Sequence, residues 1–185
     1  MTPLRLIPIG SVNPGVMEYL ALVLPESTGL KCVRARWVIN YTEAYLSERD
    51  QYHSTRLLDM IQVQADGARG SGPCLGVTEL DLAVPILTFL FGEARLQGSC
   101  AVVSAHRLHQ AFYGLPGDSS LLLTRVEKES LHELGHLAGL RHCRLSSCVM
   151  AFSTSVEQVD LKEAAFCDRC LPVFEAWVQG WQNRP

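Results

Sequence analysis

Residues 132–143, HELGHLAGLRHC, hold three of the chain's six histidines beside a glutamate, two glycines and a cysteine. Imidazole, carboxylate and thiolate are the side chains that bind zinc. His132 and His136 are four apart, so on a helix they share one face, about 6 Å apart along the axis. Two imidazoles can grip one ion across that gap at Zn–N distances of about 2.0–2.1 Å. Glu133 lies on the same turn, near enough to touch a water on that ion without binding the ion itself.

His142 cannot join them on a continuing helix, which would carry it about 9 Å further along the axis. The chain must stop and swing back, and Gly139 permits that, because glycine takes the left-handed conformation that ends helices without steric cost. Three histidines and an open fourth position describe a catalytic zinc site, where the metal lowers the pKa of its water towards 7. Glu133 is then the general base that takes the proton as hydroxide attacks a carbonyl and passes it to the leaving amine. A glutamate on a later helix, Glu157 or Glu163, is a rival third ligand. His142 is preferred, because Gly139 explains its return and neither glutamate has a comparable geometric reason.

A second cysteine-based pattern begins at once. Cys143 and Cys148 are followed by Cys167 and Cys170, two pairs at short spacing. Four thiolates make a closed zinc site with no room for water, so its role is folding. The remaining cysteines, Cys32, Cys74 and Cys100, sit in or beside apolar segments and read as small buried hydrophobes. Met150, taken alone, is a core methionine.

The active segment needs a helix to carry it. Thr124 and Glu127 form a capping-box signature, and no proline interrupts the stretch from 125 to 138. Upstream, LRLIPIG (4–10) reads as a strand, and Asn13 caps a helix with Pro14 at its first position. LKCVRARWVI (30–39) alternates as a half-buried strand does, and Ser47 with Asp50 marks a second helix running through LLDMIQVQ. ARGSGP (68–73) and YGLPGDSS (113–120) are loops, and strands fall at 75–82, 86–91 and 99–105. The expectation is one α/β (α+β) domain over 1–185. In it, a mixed twisted sheet packs against two helices, one of them the active-site helix, over 1–138. A smaller zinc-organised C-terminal part occupies 139–185.

Composition bounds the setting. The chain has 185 residues, 48% apolar and 19% charged, with net charge −3, which excludes disorder. No basic run points to nucleic acid or an anionic membrane, and the greasiest stretch, LAVPILTFLF at 82–91, is too short to span a bilayer. The N-terminus lacks the apolar core of a signal peptide. Together with seven cysteines, an odd number ill suited to a disulfide framework, that gives a cytoplasmic reading.

Taken together, HELGHLAGLRHCRLSSCVM and the later CDRC resemble the archaemetzincins, a branch of the metzincin metallopeptidases whose motif is H-E-x-x-H-x-x-G-x-x-H followed by a methionine turn. The resemblance extends upstream to about residue 75. The gap of sixteen residues between Met150 and Cys167 is a residue shorter than the family's usual spacing. The resemblance implies a catalytic zinc on His132, His136 and His142, Glu133 as base, and a structural zinc on Cys143, Cys148, Cys167 and Cys170. It also implies that Met150 is the apolar floor of the methionine turn. SCAVVSA (99–105) would be the sheet edge to which an extended peptide adds. His106, His109 and Tyr113, between that strand and the active helix, are candidates for contact with substrate. The function expected is a peptide-bond hydrolase with two zinc ions per chain and peptide or protein substrates. The alternative is a zinc-bearing module that binds peptides or a partner without turning them over.

Overall fold

The structure, a computed structural model, describes residues 2–68 and 72–183. Its larger sheet has five strands: β1 (Leu4–Ile9), β2 (Cys32–Arg34), β5 (Cys74–Thr78), β8 (Gly92–Ala94) and β9 (Cys100–Ser104), in the order β2-β1-β5-β9-β8. The first four in that order are parallel, and β8 runs antiparallel to β9. Strand β1 shows why the sheet is covered on both faces. Leu4 and Leu6 point to one cluster with α1 (Pro14–Thr28) and α3 (Ser119–Leu137), while Ile7 and Ile9 point to another with α2 (Ser54–Gly67).

A smaller four-stranded sheet, absent from the sequence-based expectation, has the order β3-β4-β6-β7. Its strands are β3 (Tyr45–Leu46), β4 (Gln51–His53), β6 (Leu82–Val84) and β7 (Leu87–Leu90). It accounts for a misplaced helix start: Ser47 and Asp50 lie in the turn between β3 and β4, and α2 begins only at Ser54. Long-range pairing of Tyr52 and His53 with β6 overrides the local capping signal. Helix α1 keeps its predicted start, with Asn13 Oδ1 accepting from the Gly15 N–H at 2.9 Å. Helix α3 starts five residues ahead of the capping box at Thr124. Its cap is Asp118, whose carboxylate accepts from the Leu121 N–H at 2.9 Å. Most of the expected strand at 30–39 is irregular beyond Arg34. The loop expected at 68–73 has residues 69–71 outside the described residues.

The sheet edge is also relocated. Strand β9 is buried at every position and lies between β5 and β8, as an unbroken apolar run in a parallel sheet should. The edge facing α3 is β8. Glu93 stands opposite Val102 as a bonded pair, so the register turns the backbone N–H and C=O groups of Gly92 and Ala94 away from β9. The Arg49 guanidinium, in the turn between β3 and β4, donates to the carbonyls of Val84, Leu87 and Thr88 at 3.2, 2.8 and 2.7 Å and so ties that turn to the β6–β7 hairpin.

Helix α3 is buried on nearly all sides from Arg125 to Leu137, so its polar residues need partners inside the protein. They find them on α4 (Val156–Leu161) and just after it. Arg125 forms a two-pronged pair with Asp160 at 2.7 and 2.6 Å, and Lys128 Nζ donates to the carbonyls of Val159 and Asp160. Lys162 Nζ donates to Glu129 Oε1 at 2.6 Å. The C-terminal helix α5 (Leu171–Gln182) sends Phe174, Val178 and Trp181 into the same apolar cluster that α1 and α3 share. Among the described residues, no helix is long and apolar enough to cross a membrane.

Candidate metal centre and cleft

Helix α3 ends in a Schellman motif that returns the chain. The Leu140 N–H donates to Gly135 O at 3.0 Å and the Gly139 N–H to His136 O at 2.9 Å, with Gly139 at φ 90°. This turn also exposes Leu140 O to the His136 ring, whose Nδ1 bonds it at 2.7 Å. The His132 Nδ1 bonds Val149 O at 2.8 Å. Each carbonyl can only accept, so each Nδ1 carries the proton and each Nε2 presents a bare lone pair. Those two Nε2 atoms face one another at 3.1 Å with no hydrogen to share. Two nitrogens on one tetrahedral zinc stand about 3.3 Å apart at the usual bond lengths. A cation between them removes the conflict. His142, beyond the turn, brings its ring to 5.3 and 5.1 Å from the other two, and ligand atoms of all three lie within 4.8 Å of one another. Burial holds all three imidazoles below their ordinary pKa, the neutral state a metal ligand requires. The rivals stay apart: Glu157 and Glu163 are exposed and neither belongs to this group.

Glu133 is 4% exposed. Its Oε2 has no hydrogen-bond partner among the described residues. Burial, then the neighbouring Glu129 and Glu93 carboxylates, raises its pKa well above the usual range, with Lys162 opposing. Space for it is made by Gly92: a methyl there would fall 2.7 Å from Glu133 Cγ and Oε1 and 2.8 Å from Val102 O. The glycine interrupting the strand-like run at 86–91 was the visible signal for that close approach.

Met150 packs against α3 at Gly135, where a side chain would fall on its sulfur and within 3.0 Å of Phe166. The Met150 carbonyl accepts from the Cys143 N–H at 2.8 Å, which ties the turn at Met150 to the residue after His142. The four cysteines Cys143, Cys148, Cys167 and Cys170 bring their sulfurs within 4.8 Å of one another, none in a disulfide. Cys143 and Cys167 Sγ lie 3.8 Å apart, the spacing of two thiolates on one zinc at about 2.3 Å each. The backbone N–H groups of Cys170 and Arg169 lower the Cys167 thiol to about 7, towards the thiolate that metals bind.

A cleft of about 410 Å³ opens over the histidines, walled by residues 87–94 on one side and by Phe152, Ser153 and Thr154 on the other. Phe152 packs on His142 with ring centres 4.7 Å apart. His106, His109 and Tyr113 do not line this cleft. His109 Nε2 bonds Glu79 at 2.9 Å, Tyr113 donates to Arg107 O at 2.9 Å, and His106 packs edge-on to Phe112. The cleft residues that sequence reasoning missed are Gly92, Glu93, Glu129 and Ser153, which carry no motif and meet only through the fold.

The family model for peptidase family M54 matches residues 30–176. The chain belongs to that family. The archaemetzincin of Methanocaldococcus jannaschii is 39% identical over 164 residues, covering 89% of this chain and 88% of its own. That of Pyrococcus furiosus is 35% identical over 174 residues, 91% and 90% of the two chains. Among solved structures, the Archaeoglobus fulgidus archaemetzincin, crystallised with malonate, superposes with a TM-score of 0.79 at 36% identity, covering 93% of this chain and 99% of that one. A zinc-dependent peptidase from Methanocorpusculum labreanum gives 0.84 at 28% identity, with 92% and 99% covered. As an M54 peptidase the chain is a zinc metallopeptidase with the mixed α/β archaemetzincin fold.

Proposed function

We propose that His132, His136 and His142 hold the catalytic zinc, that Glu133 is the general base, and that Cys143, Cys148, Cys167 and Cys170 hold a second, structural zinc. The observation that carries this is the pair of bare Nε2 lone pairs 3.1 Å apart beside an unpartnered, buried carboxylate oxygen. Zinc there supplies a Lewis acid for the scissile carbonyl and a water acidic enough to attack it. With the ion bound, the Glu133 carboxylate would take the proton of the attacking water and deliver it to the leaving amine. Gly92 keeps the space in which its carboxylate swings between the two. The backbone groups of Gly92 and Ala94 hold an extended peptide as an added strand along the cleft. Met150 under Gly135 supports the α3 segment between the two helical ligands, as in a metzincin methionine turn. The seven unbridged thiols suit the reducing cytoplasm.

Zinc content and peptide-library digestion of wild type and Glu133→Ala test this reading. The variant retains about two zinc ions per chain and loses hydrolysis. Cleavage at the wild-type rate removes Glu133 from the mechanism. Equal peptide affinity in both proteins with no product from either favours a binding module instead.

A further inference from the structure

The cleft wall has a polar feature that hydrolysis does not use. Glu129, one turn before Glu133 on α3, and Ser153, next to Phe152, both line it. Glu129 is 3% exposed, and its Oε1 accepts from Lys162, which itself stands outside the cleft lining. Ser153 Oγ is buried with no partner among the described residues. The lining carries three carboxylates, Glu93, Glu129 and Glu133, and neither lysine nor arginine. Glu93 is occupied by the hydroxyls of Ser54 and Thr55, and Glu133 has the proton transfer to perform.

Neither remaining feature is explained by stability. Replacing a buried ion pair with apolar side chains is often neutral or stabilising. A buried hydroxyl without a partner is itself unfavourable. Both features line one largely apolar cleft, and Lys162 links them, donating to Glu129 and to the carbonyl of Ala151, two residues before Ser153; both side-chain oxygens can accept hydrogen bonds. Lys162 takes Glu129 Oε1 only, which leaves Glu129 Oε2 and the Ser153 hydroxyl to a further donor, and a cationic one complements the carboxylate-lined wall.

We propose that Glu129 and Ser153 form a specificity pocket for a lysine or arginine side chain on the substrate residue that carries the leaving amine. The assignment deepens the peptidase reading and rests on it. Its place follows from Glu133: the group that hands a proton to the leaving amine must lie against the C-terminal half of the substrate. Glu129 is on the same helix face, about 6 Å further along the axis, within reach of that residue's side chain. Leu87 and Phe152 offer apolar surface to the aliphatic stem, and the two oxygens receive the charged head. Lys162 shares the carboxylate and tempers its field, so the preference is on the order of tenfold.

Two peptides that differ only by lysine or norleucine after the scissile bond test the pocket. The ratio of their kcat/KM values in one sample does not depend on how much of the protein is active. The ratio of their affinities for the zinc-loaded Glu133→Ala protein, by calorimetry, reads the same pocket without turnover. Wild type favours lysine by about tenfold in both ratios. Glu129→Gln brings the ratio to one or below, because the Lys162 ammonium is left unpaired in the wall. Ser153→Ala lowers it a few-fold and carries the test if Glu129→Gln does not fold. Equal ratios in wild type, or a lysine preference untouched by Glu129→Gln and Ser153→Ala, overturn the pocket. Cleavage without preference defeats the pocket alone. An affinity preference without any cleavage supports the pocket and defeats the peptidase reading.

Discussion

Gly135→Ala and Gly180→Ala are the same change in two helices, and the structure gives them opposite signs. Alanine is favoured over glycine inside a helix by about 0.5–1 kcal/mol. At Gly180, in α5, nothing lies within 4 Å of the added methyl, so that gain is realised. At Gly135 the methyl falls on the Met150 sulfur, with Phe166 Cε1 at 3.0 Å and Met150 Cε at 3.1 Å. Met150 is fully buried, and the half-buried Phe166 stacks on the buried Phe174, so the methyl displaces a packed sulfur and a packed ring. Overpacking of this kind costs about 1–3 kcal/mol. With two neighbours displaced, a net loss of about 1–2 kcal/mol remains after the helix gain. For a chain of this length each kcal/mol moves Tm by about 2–4 °C. Thermal unfolding at one saturating zinc concentration, which holds the metal contribution constant, therefore shows Gly180→Ala rising by about 1–4 °C and Gly135→Ala falling by about 2–8 °C. Because His132 and His136 flank the strained residue, Gly135→Ala also binds zinc at the histidine site more weakly, measurable with a competing chelator. A rise in Tm for Gly135→Ala matching that of Gly180→Ala refutes the packing of the methionine turn on α3.

Gly92→Ala crowds the Glu133 carboxylate, so kcat falls at least tenfold while zinc content by atomic absorption stays at the wild-type value. Asp118→Ala removes the cap of α3 and costs about 0.5–2 kcal/mol in urea unfolding, with the peptide preference of the cleft unchanged. Cys167→Ala lowers zinc from two ions per chain to one and loosens the region after His142, read as faster proteolysis there. Burial and the bond to Glu127 raise the Tyr19 hydroxyl to about 12. Its contribution to stability is present below pH 10 and is lost as pH rises towards 12, so Tyr19→Phe flattens the alkaline part of the stability curve over that window.

The gathering of the histidines and of the cysteines was legible because it is written in short spacings that local geometry can interpret. His132 and His136 share a helix face by period alone. Gly139 announced a left-handed turn, and the cysteine pairs announced a closed cluster. Asn13 and Pro14 likewise fix the start of α1 without help from the rest of the chain. What was not legible depends on distant partners. Ser47 and Asp50 look like a helix start until Tyr52 and His53 pair with β6. Thr124 and Glu127 fit a capping box, yet Asp118 caps the helix earlier because Leu122, Val126 and their neighbours are already drawn into the core. Strand β9 was taken for the edge although its unbroken burial argues for the interior, and the true edge, β8, is only three residues long. Glu129, Lys162 and Ser153 come from three separate segments, so no spacing could have joined them.

Zinc-edge anomalous scattering from crystals of the zinc-loaded protein tests the central claim most directly. Two peaks are expected, one among the sulfurs of Cys143, Cys148, Cys167 and Cys170 and the other bound by the Nε2 atoms of His132, His136 and His142, with solvent at its remaining position on the Glu133 side. A protein side chain closing that position, or His142 turned away from the peak, contradicts it.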